Sequence, residues 1–215
     1  MHIAATLFWV LTQSILLPVG FIMTKELFEK KGYVQIAGFI DPAMVQIMSQ
    51  YFENKIRRGD WAEGFDGPET VSRFFCYADP LTEAVLLAAH SEVEKVCGKE
   101  LIPTYSYSRV YQPGDELKPH VDRPSCEISV TVNIANKGEL SPIYMKYGAN
   151  EAAACTLFPG DAVIYKGCEA SHWRDPTLEG QLTVQFMLHY VDKNGPNALF
   201  AKDKRKAFGF GKMGV

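Results

Sequence analysis

Apolar positions recur at helical spacing in two early stretches of the chain and at strand spacing in the longer run that follows. Asp41-Pro42 supplies an N-cap and a first-turn proline. Met44, Ile47, Met48, Tyr51 and Phe52 then keep the apolar spacing of a helix. The pattern predicts a helix running to Arg58 and stopped by Gly59. The same punctuation returns at Asp79-Pro80, where Leu81, Ala84, Leu87, Ala88 and Ser91 share a face and Gly98 lies past the end. Residues 33–40 read as a short strand, and residues 61–69 as a loop between the helices. From Ile102 onward, runs broken by Pro and Gly predict strands: YSYSRVY, CEISVTVNIA, SPIYMKYG, CTLF, DAVIY and QLTVQFMLHYV. Helices first and strands afterwards imply an α+β chain whose second half is a β-sandwich or barrel.

One strand departs from the greasy-inside, polar-outside rule. In YSYSRVY, alternation puts Tyr105, Tyr107, Arg109 and Tyr111 on one face and Ser106, Ser108 and Val110 on the other. Three phenols and a guanidinium in a row suit either an exposed edge or the wall of a cavity that holds an anion.

Composition narrows the picture. At 22% charged and 47% apolar residues, the 215-residue chain can build one well-filled domain. A net charge of -3 argues against binding nucleic acid by bulk electrostatics. Cys76, Cys97, Cys126, Cys155 and Cys168 are odd in number and contain no CxxC pair, which reads as reduced thiols in an intracellular protein.

Residues 3–23 carry no charge and are long enough to span a bilayer. The segment lacks the basic start of a secretory signal, and Lys25, Lys30 and Lys31 follow it. Residues 1–22 are therefore either a leader, including a translated upstream extension, or a membrane anchor. In the second case the lysines keep the following domain in the cytoplasm. Residues 23–195 form the domain, and 196–215 a basic, then glycine-rich tail that reads as a solvated end.

The candidate chemistry sits in ELKPHVDRPS. His120 and Asp122, two residues apart at a strand end or turn, can point at one ion. With a second imidazole they make the facial triad suited to non-haem Fe(II). His172, behind the apolar strand of FPGDAVIYKGCEASH, is the expected third ligand, and His189 in FMLHYV is its rival.

Y-x-x-G ahead of HxD, a strand after it, and PGDAVIY leading to a distal His resemble the 2-oxoglutarate and Fe(II)-dependent dioxygenases, most of all their prolyl-hydroxylase-like branch. The opening YVQIAGFIDPAMVQIMSQYF is similar too, and the likeness covers residues 32–191. The resemblance implies a double-stranded β-helix, or jelly roll, with N-terminal helices packed on one side. It also implies Fe(II) held by His120, Asp122 and His172, with 2-oxoglutarate and O2 consumed as an unidentified peptide or small molecule is hydroxylated. One departure stands out. The strand position about ten residues past the distal His, where this family carries a cation for the co-substrate carboxylate, holds Leu182. A buried dicarboxylate still needs a charge-assisted partner. Arg109, with Tyr107 and Tyr111 on the same face, is one candidate and Arg174 the other; Lys146 and Lys166 are weaker. The missing cation also sustains a reading from another class, a cupin-like module that binds metal or a small acid without turnover.

Overall fold

The computed structural model describes residues 19–63, 70–71 and 74–209. Its elements run α1 (Val19–Lys31), β1 (Tyr33–Ile36), α2 (Pro42–Arg58), β2 (Ala62–Glu63), β3 (Thr70–Val71), β4 (Phe74–Tyr77), α3 (Pro80–Ala88) and α4 (His90–Cys97). There follow β5 (Leu101–Tyr111), β6 (Glu116–His120), β7 (Ile128–Lys137), β8 (Ile143–Lys146), β9 (Ala153–Cys155), β10 (Ala162–Lys166), β11 (Ser171–Arg174) and β12 (Leu182–Asp192). Short 3₁₀ segments cover Pro124–Cys126 and Pro196–Lys204. The major sheet has the order β1-β10-β7-β12-β5-β4-β2, the minor sheet β3-β6-β11-β8-β9, and every pairing is antiparallel. This is the expected jelly roll with N-terminal helices against one sheet.

Strand parity explains the layering. Val130, Val132 and Ile134 of β7, Val184, Phe186 and Leu188 of β12, and Ile164 of β10 are buried against Met48, Phe52, Leu86 and Val93 of the helices. Each such side chain contributes about 1.5–3 kcal/mol of burial. The alternate positions, Ser129, Thr131 and Asn133 on β7, Gln185 and His189 on β12, and Arg109 on β5, are also buried, yet polar. The major sheet is thus apolar toward the helices and polar on its other face, several of whose residues line the cavity described below.

Asp41 caps α2 through Ala43 N–H at 2.8 Å, and Gly59 closes it in a left-handed conformation, as the sequence predicts. The helix expected from Asp79 to Gly98 is two helices, broken at Ala89. The Tyr190 hydroxyl donates to Leu86 O at 2.7 Å, the carbonyl that His90 N–H would use in a continuous helix. The His90 ring then stacks on Tyr190 and bonds Leu101 O.

The C-terminal segment is not a solvated end as far as it is described. Asp203, 6% exposed, accepts two hydrogen bonds from Arg123 and one from the Tyr77 hydroxyl. Arg205 pairs with buried Glu83 and also donates to Thr104 O. The basic residues of this stretch therefore include a partner for a buried carboxylate of the domain, a pairing that residue composition does not reveal. The leader or anchor at residues 1–18 lies outside the described residues, as do residues 210–215. Helix α1 runs through positions 22 and 23, and among the described residues no helix is long and apolar enough to cross a membrane.

Candidate metal centre

Strands β6 and β11 pair so that His120 and His172 stand directly opposite each other, with ring centroids 4.3 Å apart. Asp122, just past the end of β6, turns back toward both. Its Oδ1 lies 3.8 Å from His120 Nε2 and 3.6 Å from His172 Nε2. The three residues offer donor atoms that all lie within 4.8 Å of one another.

Backbone contacts orient each imidazole. His120 Nδ1 meets Lys118 O at 2.9 Å, and His172 Nδ1 meets Ala170 O at 3.0 Å. A carbonyl can only accept, so each Nδ1 carries a proton and each Nε2 is the ring nitrogen that faces Asp122. Burial lowers the pKa of His172 to about 4, which keeps its ring neutral at pH 7. Burial also raises the Asp122 carboxyl, against a lowering hydrogen bond from Ser129. Two imidazoles and one carboxyl group, with no thiol among them, suit a borderline divalent ion such as Fe(II).

Gly167 closes the back of the site. Asp122 N–H donates to Gly167 O at 2.8 Å, and Gly167 N–H donates to Glu127 O at 2.9 Å. A Cβ on residue 167 would lie 2.1 Å from Cys126 O and 2.5 Å from Asp122 Oδ2, so only glycine fits.

The candidate trio borders a cavity of about 120 Å³ between the sheets. Tyr105, Tyr107, Arg109 and Tyr111 of β5 all line it, and β5 lies inside the major sheet between β12 and β4. The polar strand is therefore a wall and not an exposed edge. The Arg109 guanidinium lies 5.0 Å over the Tyr107 ring, and the buried Tyr111 hydroxyl has no hydrogen-bond partner among the described residues. Arg174 is placed differently. It is buried against two side chains that line the cavity, donating to Gln185 Oε1 and lying 5.4 Å over the Tyr111 ring, with a further bond to Ser141 O. Leu182 packs into the apolar core, while Lys146 is exposed and Lys166 pairs with Glu29. Trp173 stacks on Tyr144, half-buried, away from the cavity lining.

Thr131, Tyr165, Gln185 and Met187 also line the cavity, and the sequence reading passed over them. Their signal was available as parity: in ISVTVN of β7, the serine, threonine and asparagine alternate with Ile128, Val130 and Val132, the same one-sided polarity as β5. His189, the rival ligand, lies in the cavity wall beside the trio, with its ring against Tyr105. A larger cavity of about 730 Å³ lies among Ile36, Phe39, Met44, Val85 and Val96 on the helical side. It gathers no imidazole or thiol, and its Asp41 is the cap of α2.

No family model and no curated protein matches the sequence. Solved structures do match the fold. A Pseudomonas putida prolyl-4-hydroxylase superposes with a TM-score of 0.66 at 12% identity, covering 80% of this chain and 98% of that one. A Trichoplax adhaerens prolyl hydroxylase in complex with a hypoxia inducible factor peptide fragment gives 0.68 at 11%, covering 80% and 89%. The epimerase SnoN, in complex with Fe3+, alpha ketoglutarate and nogalamycin RO, gives 0.66 at 14%, covering 84% and 89%. The chain thus has the double-stranded β-helix fold of 2-oxoglutarate and Fe(II)-dependent oxygenases.

Proposed function

We propose that this chain is an Fe(II)- and 2-oxoglutarate-dependent oxygenase that hydroxylates an unactivated C–H bond of a peptidyl side chain, a prolyl ring being the first to try. The observation that carries the reading is the convergence of His120, Asp122 and His172 beside a cavity walled by Arg109. One structural neighbour is in complex with a peptide fragment and another with nogalamycin RO, so a peptide is tested first and a small molecule second.

In this reading His120 Nε2, His172 Nε2 and one Asp122 oxygen hold the ion and leave the other coordination positions open. The bound metal supplies oxidation of the C–H bond by O2, coupled to decarboxylation of the 2-oxo acid to succinate. Arg109 pairs with the distal carboxylate of 2-oxoglutarate, and Tyr107 and Tyr111 donate to it from the same wall. The buried phenol of Tyr111 gains the acceptor it lacks. Arg174 is a positioning residue, holding Gln185 and the Ser141 carbonyl.

Anaerobic addition of Fe(II) and 2-oxoglutarate tests the centre. A weak visible charge-transfer band is expected in the wild type and not in His172→Ala, with succinate released under air. Metal binding with no band and no succinate would instead identify a cupin-like binding module. Arg109→Gln separates the two arginines. Loss of the charge partner in a buried site costs about 2 kcal/mol or more, a rise of roughly 30-fold or greater in the 2-oxoglutarate Kd. If Arg174→Gln weakens the co-substrate and Arg109→Gln does not, the assignment of the anchor is wrong.

A further inference from the structure

Behind the three ligands stands a second cluster, in which Asp122, Cys126 and His189 offer donor atoms within 4.8 Å of one another. Two features exclude a second ion there. Ser129 Oγ already bridges the gap, 2.7 Å from Asp122 Oδ2 and 2.9 Å from His189 Nδ1. The Cys126 thiol contacts the Tyr105 hydroxyl at 3.0 Å, and burial pushes its pKa up, away from the thiolate that a metal requires.

Counting protons fixes the direction of the contacts. A serine hydroxyl has one proton, and a carboxylate only accepts. Ser129 donates to Asp122 Oδ2, with Cys126 O at 3.2 Å as a weaker acceptor. The proton between Ser129 Oγ and His189 Nδ1 must then come from His189. We infer that His189 and Ser129 are positioning residues for the metal centre: His189 Nδ1–H orients the Ser129 hydroxyl, which holds Asp122 Oδ2 and leaves Oδ1 facing both ligand imidazoles. This inference rests on the metal reading proposed above.

The chain is braced at each link. The His189 ring lies against Tyr105 with centroids 4.5 Å apart, and its backbone carbonyl accepts from Thr104 Oγ1 at 2.9 Å. Ser129 is fully buried on β7, opposite His189 in the β7–β12 register. On the far side, Gly167 packs against Asp122 Oδ2. The terminal torsion of an aspartate is broad. Without the serine donor, Asp122 is free to rotate and offer its oxygens in other directions.

Mn(II) binding followed by electron paramagnetic resonance, on the full chain without 2-oxoglutarate, reads this role apart from turnover. Ser129→Ala is expected to raise the Mn(II) Kd by about 10–100-fold, as loss of an outer contact to a metal ligand does. His189→Asn places an amide nitrogen where Nδ1 stood and keeps an affinity near wild type. His189→Gln places its amide near the Nε2 position and weakens binding as Ser129→Ala does. Equal Mn(II) affinity in Ser129→Ala and wild type overturns the inference. So does equal weakening by Asn and Gln at 189, which marks a packing role only. If Ser129→Ala does not fold, the two His189 variants decide alone. A wild type that binds no Mn(II) overturns the metal reading itself, a result distinct from a variant that binds normally.

Discussion

Replacing Gly167 with alanine tests how tightly the two loops behind the candidate metal centre are fitted. The added Cβ would sit 2.1 Å from Cys126 O, 2.5 Å from Asp122 Oδ2 and 2.8 Å from Ser129 Oγ. The first of these is a backbone atom in a 3₁₀ turn and cannot swing aside as a side-chain end would. Relief requires the 120s and 160s loops to part, which strains the Asp122 N–H to Gly167 O and Gly167 N–H to Glu127 O bonds. Overpacking costs about 1–3 kcal/mol, and each weakened hydrogen bond about 1 kcal/mol. The sum is about 3–5 kcal/mol, or about 6–20 °C in Tm for a domain of this size. Because Asp122 moves with its loop, the Mn(II) Kd should also rise about tenfold or more. Gly38→Ala is the control. Its φ of +61° makes alanine strained, but a Cβ there meets nothing within 4 Å, so stability falls by about 1 kcal/mol and metal affinity holds. Urea denaturation and Mn(II) titration measure both quantities. A Gly167→Ala protein with wild-type stability and affinity would refute the close fit of these loops.

Other outcomes follow from charges and thiols away from the centre. Burial raises the pKa of Cys97 from 9.0 to about 12, so its folded form stays protonated while the unfolded thiol ionises above pH 9. Stability is therefore whole below pH 9 and falls as pH rises toward 12, by about 1 kcal/mol between pH 8 and pH 10. Cys97→Ala should remove that share of the slope in urea melts at the two pH values, and an unchanged slope would contradict it. Arg205→Ala leaves Glu83 buried without its partner and should cost about 3–5 kcal/mol in the same assay. Lys193→Ala breaks a pair with half-exposed members and should cost under about 1 kcal/mol. Similar losses in the two variants would mean that the C-terminal stretch is not anchored as described.

Local punctuation carried much of the architecture into the sequence. Asp41-Pro42, Asp79-Pro80, Gly59 and Gly98 mark helix ends where the backbone has them, because capping depends on neighbouring residues alone. Parity along YSYSRVY put three phenols and a guanidinium on one face and left edge or cavity wall open, which the fold decides for the wall; His120, Asp122 and His172 lie together. What escaped depended on partners distant in the chain. The break at Ala89 answers to Tyr190, and the burial of Asp203 answers to Arg123 and Tyr77. Strand β4 escaped as well, since FFCY alternates nothing and acquires its identity from pairing with β5. Arg109 and Arg174 looked equivalent as cations, yet Arg109 lines the cavity while Arg174 is held by Gln185 and the Ser141 carbonyl.

The register that sets His120 against His172 ties together positions about fifty residues apart in the chain, across two strands of the minor sheet. An ion gripped by both rings is in effect a removable staple across that span. Its contribution scales with supply, about 2.7 kcal/mol when free metal stands a hundredfold above its Kd. Under the proposed function, loss of that ion would both empty the site and lower the stability of the folded chain.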